Sequence, residues 1–310
     1  MRTRSRTTVA AVATFFAVTV TAAVVAGSGG AAAAPGPGSG GAGPPGTPAT
    51  PAGVSATTRE AAAGLPGHTV YRPADLHRVP PRSLPVVVYG NGACASSNLP
   101  AVSFLTGLAS RGYVVVANGA LDAFPVPSSP ETTTAHPEDL VAAALWATGS
   151  SEARAQLQNR VDPTRVGVLG HSCGGVEALA AGVHPIVDAV AGFNTGYSPE
   201  PRFGGYGRDL LAELHSPVLL VDGGPTDVAF QNSADNHALL DVPAVRASNA
   251  TAGHVALVSG EQSLTGWQIA ADWFDLVLRG DEAAGATFTG PDCGLCTQPG
   301  WTVESTGFPL

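Results

Sequence analysis

The segment Gly170-His171-Ser172-Cys173-Gly174 holds the one arrangement in this chain that most directly suggests covalent chemistry. A serine hydroxyl is a weak nucleophile at its ordinary pKa. It needs a base against it and hydrogen-bond donors where an oxyanion would form. The run Arg165–Leu169 reads as a strand entering the segment, and Val176 to Ala180 reads as a helix leaving it. Glycines on both sides of a serine let the chain reverse sharply and let the helix pack against the sheet. The hydroxyl then stands above the carboxyl ends of the strands. The backbone N–H of Cys173, at the positive end of the helix, points into the same space and is one expected oxyanion donor. The bland alternative is a structural Gly-Ser turn in a doubly wound fold.

With such a strand–serine–helix unit, the acid and then the base follow the serine in chain order. Four histidines follow it: His184, His215, His237 and His254. His184 ends the helix that leaves Ser172, and His215 stands just before a strand, at the opposite edge of the sheet. His237 lies in a polar helical stretch and reads as a solvated surface residue. His254, in the turn Ala252-Gly253-His254 after the last candidate strand, is the expected base. Asp222 and Asp227 both follow the strand Val218–Val221. Asp227 is preferred as the acid, because the loop Gly223-Gly-Pro-Thr-Asp227 can carry a carboxylate over the sheet. Asp222 ends the strand and could cap the turn. The second oxyanion donor is expected from the loop Gly90-Asn-Gly-Ala-Cys94, with the N–H of Asn91 as first choice and of Gly92 as second. A plain tight turn would need the same glycines. His171, beside the serine, is read as a packing or hydrogen-bonding residue.

These side chains must be positioned by an α/β architecture. Short apolar, β-branched runs alternate with helical stretches, which predicts a mostly parallel sheet buried on both faces. Strands are expected at Thr69–Arg72, Val86–Tyr89, Tyr113–Ala117, Arg165–Leu169, Asp188–Ala191, Val218–Val221 and Ala244–Ala247. Helices are expected at Leu99–Ser110, Glu138–Thr148, Gly174–Gly182, Ser233–Leu240 and Leu264–Leu278. Asn194 to Gly207 reads as a loop whose aromatics, Tyr197, Phe203 and Tyr206, either line a cleft or pin the loop to the core.

Composition narrows the function classes. The chain has 310 residues and a formal charge of −9, and all 15 of its basic residues are arginine. Without lysine there is no P-loop lysine, no pyridoxal-phosphate Schiff base and no Ser-Lys dyad. The acidic balance speaks against nucleic acid as a partner. Arg2, Arg4 and Arg6, then the apolar run Val9 to Val25, then Ala31 to Ala34, read as a secretory signal over residues 1–34. Residues 35–53, rich in Pro, Gly and Ala, read as a disordered tether, leaving residues 54–310 as a single catalytic domain. Export implies a secreted protein with no stable membrane insertion once the signal is removed, and a monomer is expected.

The chain resembles the α/β-hydrolase superfamily, and within it the secreted bacterial lipase/cutinase group that includes polyester (PET) hydrolases. The resemblance rests on Gly90-Asn91, Gly170-His-Ser-Cys-Gly-Gly175, Asp227-Val-Ala-Phe230, Ala252-Gly-His254 and the closing helix with Trp273. It implies carboxylic ester hydrolysis through an acyl-serine intermediate, with no cofactor and no metal. Ser172, Asp227 and His254 would be catalytic, and Asn91 and Cys173 would hold the oxyanion. The group commonly carries Met at the position of Cys173 and an aromatic residue at that of Asn91. In an exported chain the four cysteines are expected to pair. Cys293-Gly-Leu-Cys296 is expected to close a small loop, and the resembling group also has a C-terminal disulfide. Whether Cys94 and Cys173 bond is open at this level. The other readings are a non-catalytic binding protein on the same fold, and a serine peptidase or acyltransferase.

Overall fold

Val86-Val87-Val88-Tyr89 and Val114-Val115-Val116 carry apolar side chains on both faces, which suits strands covered on both sides. In the computed structural model of the chain, both segments lie inside a nine-stranded sheet. The structure describes residues 55–124 and 136–308, all within one compact unit, Thr50–Leu310. The expected signal and tether, 1–34 and 35–53, lie outside the described residues.

The elements in chain order are β1 (Thr57–Ala61), β2 (His68–Pro73), β3 (Leu84–Gly90), α1 (Val102–Ser110), β4 (Val114–Asn118), α2 (Pro137–Gly149), α3 (Ser151–Gln156) and β5 (Val161–His171). There follow α4 (Cys173–Ala181), β6 (Ala189–Phe193), β7 (Val218–Asp222), α5 (Phe230–His237), β8 (Ala244–Asn249), α6 (Ser263–Arg279), α7 (Glu282–Gly285) and β9 (Trp301–Thr306). The sheet order is β1-β2-β4-β3-β5-β6-β7-β8-β9. From β4 across to β8 the pairing is parallel, and β1, β2 and β9 join antiparallel at the two edges. This is the α/β-hydrolase arrangement expected above, a mostly parallel sheet with helices on both faces.

The strand period of two separates the core into two layers. Val86, Val88, Val166 and Val168 turn to one face, where they meet Leu140 and Ala144 of α2 and Leu179 of α4. Val87, Tyr89 and Leu169 turn to the other, against Phe104 and Leu105 of α1 and Trp273 and Phe274 of α6. Trp273 is fully buried, and its Nε1–H donates to the Val190 carbonyl at 3.1 Å, so its one polar atom is satisfied. Removing so large a buried ring costs about 3–5 kcal/mol. The start of α2 follows from its residues: Pro137 needs no N–H partner in the first turn, and Glu138 and Asp139 favour the positive helix end.

All seven expected strands and all five expected helices are present, with shifted ends. Leu99–Ala101 is a 3₁₀ turn leading into α1, and α5 starts three residues earlier than the pattern suggested. Strands β1 and β9 and helices α3 and α7 had no strong sequence signal. Both strands are at sheet edges, and their burial is partial. Among the described residues no helix is long and apolar enough to cross a membrane.

Candidate active site

Ser172 stands between β5 and α4 with φ 55° and ψ −119°, a conformation rare for a residue with a Cβ. The turn holds because its neighbours over-determine it. The Ser172 N–H donates to the Phe193 carbonyl on the adjacent strand at 2.9 Å, and the Thr195 hydroxyl donates to the Ser172 carbonyl at 2.7 Å. Gly174 permits the approach of α4 to the end of β3: a Cβ there would lie 2.1 Å from the carbonyl carbon of Gly90.

The long loop after β8 brings His254 to this turn. Its Nε2 lies 2.9 Å from Ser172 Oγ, and its Nδ1 lies 2.6 Å from Asp227 Oδ1. Asp227 sits on the loop after β7, past a 3₁₀ turn over Gly224–Thr226. The acid and base loops are packed backbone to backbone. The Gly253 N–H donates to the Gly223 carbonyl at 2.9 Å, and a Cβ on Gly223 would lie 1.8 Å from the Gly253 carbonyl oxygen.

The Asp227 side chain is fully buried, yet each of its oxygens is bonded twice. Oδ1 accepts from His254 and from the Ala229 N–H, and Oδ2 accepts from the Gly223 N–H and the Asn194 amide. Burial alone would raise this carboxyl's pKa. The hydrogen bonds, led by that of His254, outweigh it and hold the pKa below the ordinary carboxylate value.

Asn194 gave no signal in the sequence analysis. At the end of β6 it adopts φ 51°, and its Nδ2 reaches both Asp227 Oδ2 and the Gly253 carbonyl. It therefore ties the acid to the loop that carries His254. The trace it leaves in sequence is slight: asparagine is among the few residues that tolerate a left-handed turn.

His171 forms a second brace. Its Nε2 lies 2.8 Å from the His254 carbonyl oxygen, which can only accept, so this nitrogen carries the proton. Desolvation lowers its pKa to about 4, despite the opposing pull of that carbonyl, and the ring is neutral near pH 7. The ring packs beside that of His254, with centroids 5.3 Å apart.

The other candidates separate clearly. Asp222 faces away from His254, accepting from Arg246 Nε at 2.9 Å, from the Ser248 hydroxyl and from the Gly224 N–H. It caps the turn, as the sequence allowed, and also pairs a buried arginine. His184 accepts from the Ile186 N–H within its own turn. His237 corrects an expectation: its side chain is only 9% exposed rather than solvated. Burial against β8 lowers its pKa, with Glu304 pulling the other way.

Asn91 and Cys173 line the same cavity as Ser172 and His254, and so does Gly92. The Asn91 amide donates to the carbonyls of Ala95, in its own loop, and of Asn118, at the end of β4, at 2.8 Å each. Cys173 is the first residue of α4, where a helix N–H has no partner within the helix. Cys94 and Cys173 form a disulfide, as do Cys293 and Cys296. The cavity has a volume of about 840 Å³ and mostly apolar walls, among them Tyr89, Ala101, Phe203 and Val255. Of the loop aromatics, Phe203 lines this cavity, and Tyr197, though buried, and Tyr206 line a smaller one that also includes Ser172 and His254. Among the described residues no three His, Cys, Asp or Glu side chains stand together as metal ligands.

A family model described as PET hydrolase-like matches residues 42–201, just over half of the chain. The matched stretch includes β3, the turn at Ser172 and β6, and ends before Asp227 and His254. No curated protein matches the chain. The match and the fold agree: the chain belongs to the PET hydrolase-like family of α/β-hydrolases and is a hydrolase acting on esters.

Proposed function

We propose that this protein is an exported serine hydrolase that cleaves carboxylic esters through an acyl-serine intermediate, with Ser172 as nucleophile, His254 as base and Asp227 as the acid that orients it. The observation that carries this reading is the unbroken hydrogen-bonded chain Ser172 Oγ–His254 Nε2–His254 Nδ1–Asp227 Oδ1, at 2.9 and 2.6 Å. His254 Nε2 takes the hydroxyl proton as Oγ bonds to the ester carbonyl carbon. The carbonyl oxygen becomes an oxyanion facing the backbone N–H groups of Asn91 and Cys173. The bond to the alkoxy oxygen then breaks, and the proton on His254 leaves with the alcohol. Water, deprotonated by the same imidazole, attacks the acyl-serine and releases the carboxylic acid. Asp227, kept ionised by its hydrogen bonds, holds Nδ1–H and stabilises the imidazolium.

Two features of the site favour a bulky, apolar ester: the volume of the cavity and its mostly apolar walls. Export is supported by the two disulfides, since such bonds persist in oxidising compartments. The test is turnover of p-nitrophenyl butyrate by wild type and Ser172→Ala. Wild type is expected to hydrolyse it and to be labelled at Ser172 by a fluorophosphonate. The variant should fold, resist labelling and lose roughly 10⁴-fold or more in kcat. Equal turnover by the two proteins would refute the mechanism.

A further inference from the structure

A second, smaller cavity of about 180 Å³ also reaches the Ser172–His254 pair. Ser172, His254, Arg202 and Phe203 line both cavities. The larger is mostly apolar, whereas the smaller mixes apolar side chains such as Tyr197, Tyr206 and Val228 with the polar ones of Asn194, Thr195, Ser198 and Asn232. Most of those polar groups are already engaged. Thr195 donates to the Ser172 carbonyl, Ser198 to the Glu200 carbonyl, and Asn194 to Asp227 and Gly253. Among the described residues, the side chains of Arg202 and Asn232 have no hydrogen-bond or ion-pair partner, and no Asp or Glu lines either cavity. In a chain of net charge −9, the one permanently charged side chain that lines both cavities among the described residues is thus an exposed arginine with no acidic group in either wall. A guanidinium and an amide in the wall of one cavity, both with free N–H donors, offer the donors that a carboxylate takes.

Resting on the esterase reading above, we propose that the smaller cavity is a carboxylate subsite, in which Arg202 and Asn232 select esters that carry a free carboxylate, such as half-esters of dicarboxylic acids. The chemistry gives such a site a use. Every cleavage inside a polyester leaves one new hydroxyl end and one new carboxyl end. Fragments ending in a carboxylate are therefore a product of the same reaction, and Arg202 lets the enzyme hold them for another round.

The experiment compares two pairs of esters. In the first the carboxylate is on the acyl part: p-nitrophenyl hydrogen glutarate against p-nitrophenyl valerate. In the second it is on the alcohol part: 4-carboxyphenyl butyrate against phenyl butyrate. The readout is the anionic-to-neutral ratio of kcat/KM. In at least one pair, Arg202→Gln should lower this ratio about three- to tenfold, the range of an exposed charged hydrogen bond. Arg202→Lys should restore part of it, and Asn232→Asp, which sets a like charge at the second donor, should lower it further. High salt should shrink the wild-type ratio. If neither Arg202→Gln nor Asn232→Asp moves the ratio in either pair, while the neutral esters still need Ser172, the subsite is refuted and the esterase reading stands. If hydrolysis of the neutral esters does not need Ser172, both fall.

Discussion

Cys94 and Cys173 are bonded to each other, so the loop after β3 is covalently tied to the first turn of the helix that follows Ser172. The bond closes a span of 79 residues, whereas Cys293–Cys296 closes a span of 3. On the chain-entropy account the first contributes about 4.5 kcal/mol and the second about 2. Cys94→Ala/Cys173→Ala should therefore lower Tm by roughly 10 °C, and Cys293→Ala/Cys296→Ala by about half as much. The first pair should also lower kcat, because the two walls expected to hold the oxyanion lose their tether. Calorimetry and ester kinetics on both double variants check this, and equal kinetic effects would remove any special role for the first bond.

The two aspartates beside β7 should respond in opposite ways. Asp227→Asn is expected to lower kcat by about 10³- to 10⁴-fold, as when the orienting acid of a triad is neutralised, with a stability cost of about 1–3 kcal/mol because one of its buried N–H donors loses its acceptor. Asp222→Asn breaks a buried pair with Arg246 and should cost about 3–5 kcal/mol of stability, with a smaller effect on kcat in the protein that remains folded. A reversal of the two patterns would transfer the acid's role to Asp222.

Asn194 is expected to act through Asp227. Asn194→Ala removes a donor to a buried carboxylate and should lower kcat about ten- to hundredfold while leaving KM nearly unchanged. Asn194→Asp places a second carboxylate against Asp227 and favours the protonated imidazole of His254. The acid limb of its kcat–pH profile should therefore move to higher pH, a shift that simple loss of packing would not produce.

Glu177 sets a pH dependence of stability apart from catalysis. It is buried on α4, and desolvation raises its carboxyl pKa from 4.5 to about 7, with the His136 N–H opposing the shift. The folded state thus binds this proton more tightly than the unfolded chain. The sign follows from linkage: stability is full below pH 4.5 and is lost as pH rises through about 7, by roughly 3 kcal/mol in all. Glu177→Gln should raise Tm by several degrees at pH 8 and change it little at pH 4.5. Equal shifts at both values would contradict a buried proton.

The sequence by itself determined the element types and the placement of Ser172. Those signals are local. An apolar run of β-branched residues makes a buried strand wherever it lies, and Gly170 and Gly174 permit the sharp turn around Ser172 with no knowledge of the rest of the chain. The chain order of acid and base narrowed the remaining candidates to His254 and to Asp227 or Asp222. The loop that carries Asp227 beyond the strand favoured it over Asp222, which ends the strand, but which partner, His254 or Arg246, reaches each of them from another segment is seen only in the tertiary structure. The same holds for Asn194, for the Cys94–Cys173 bond, for the buried ring of His237 and for the edge strands β1 and β9. Each depends on contacts between segments distant along the chain, and no local periodicity records such contacts.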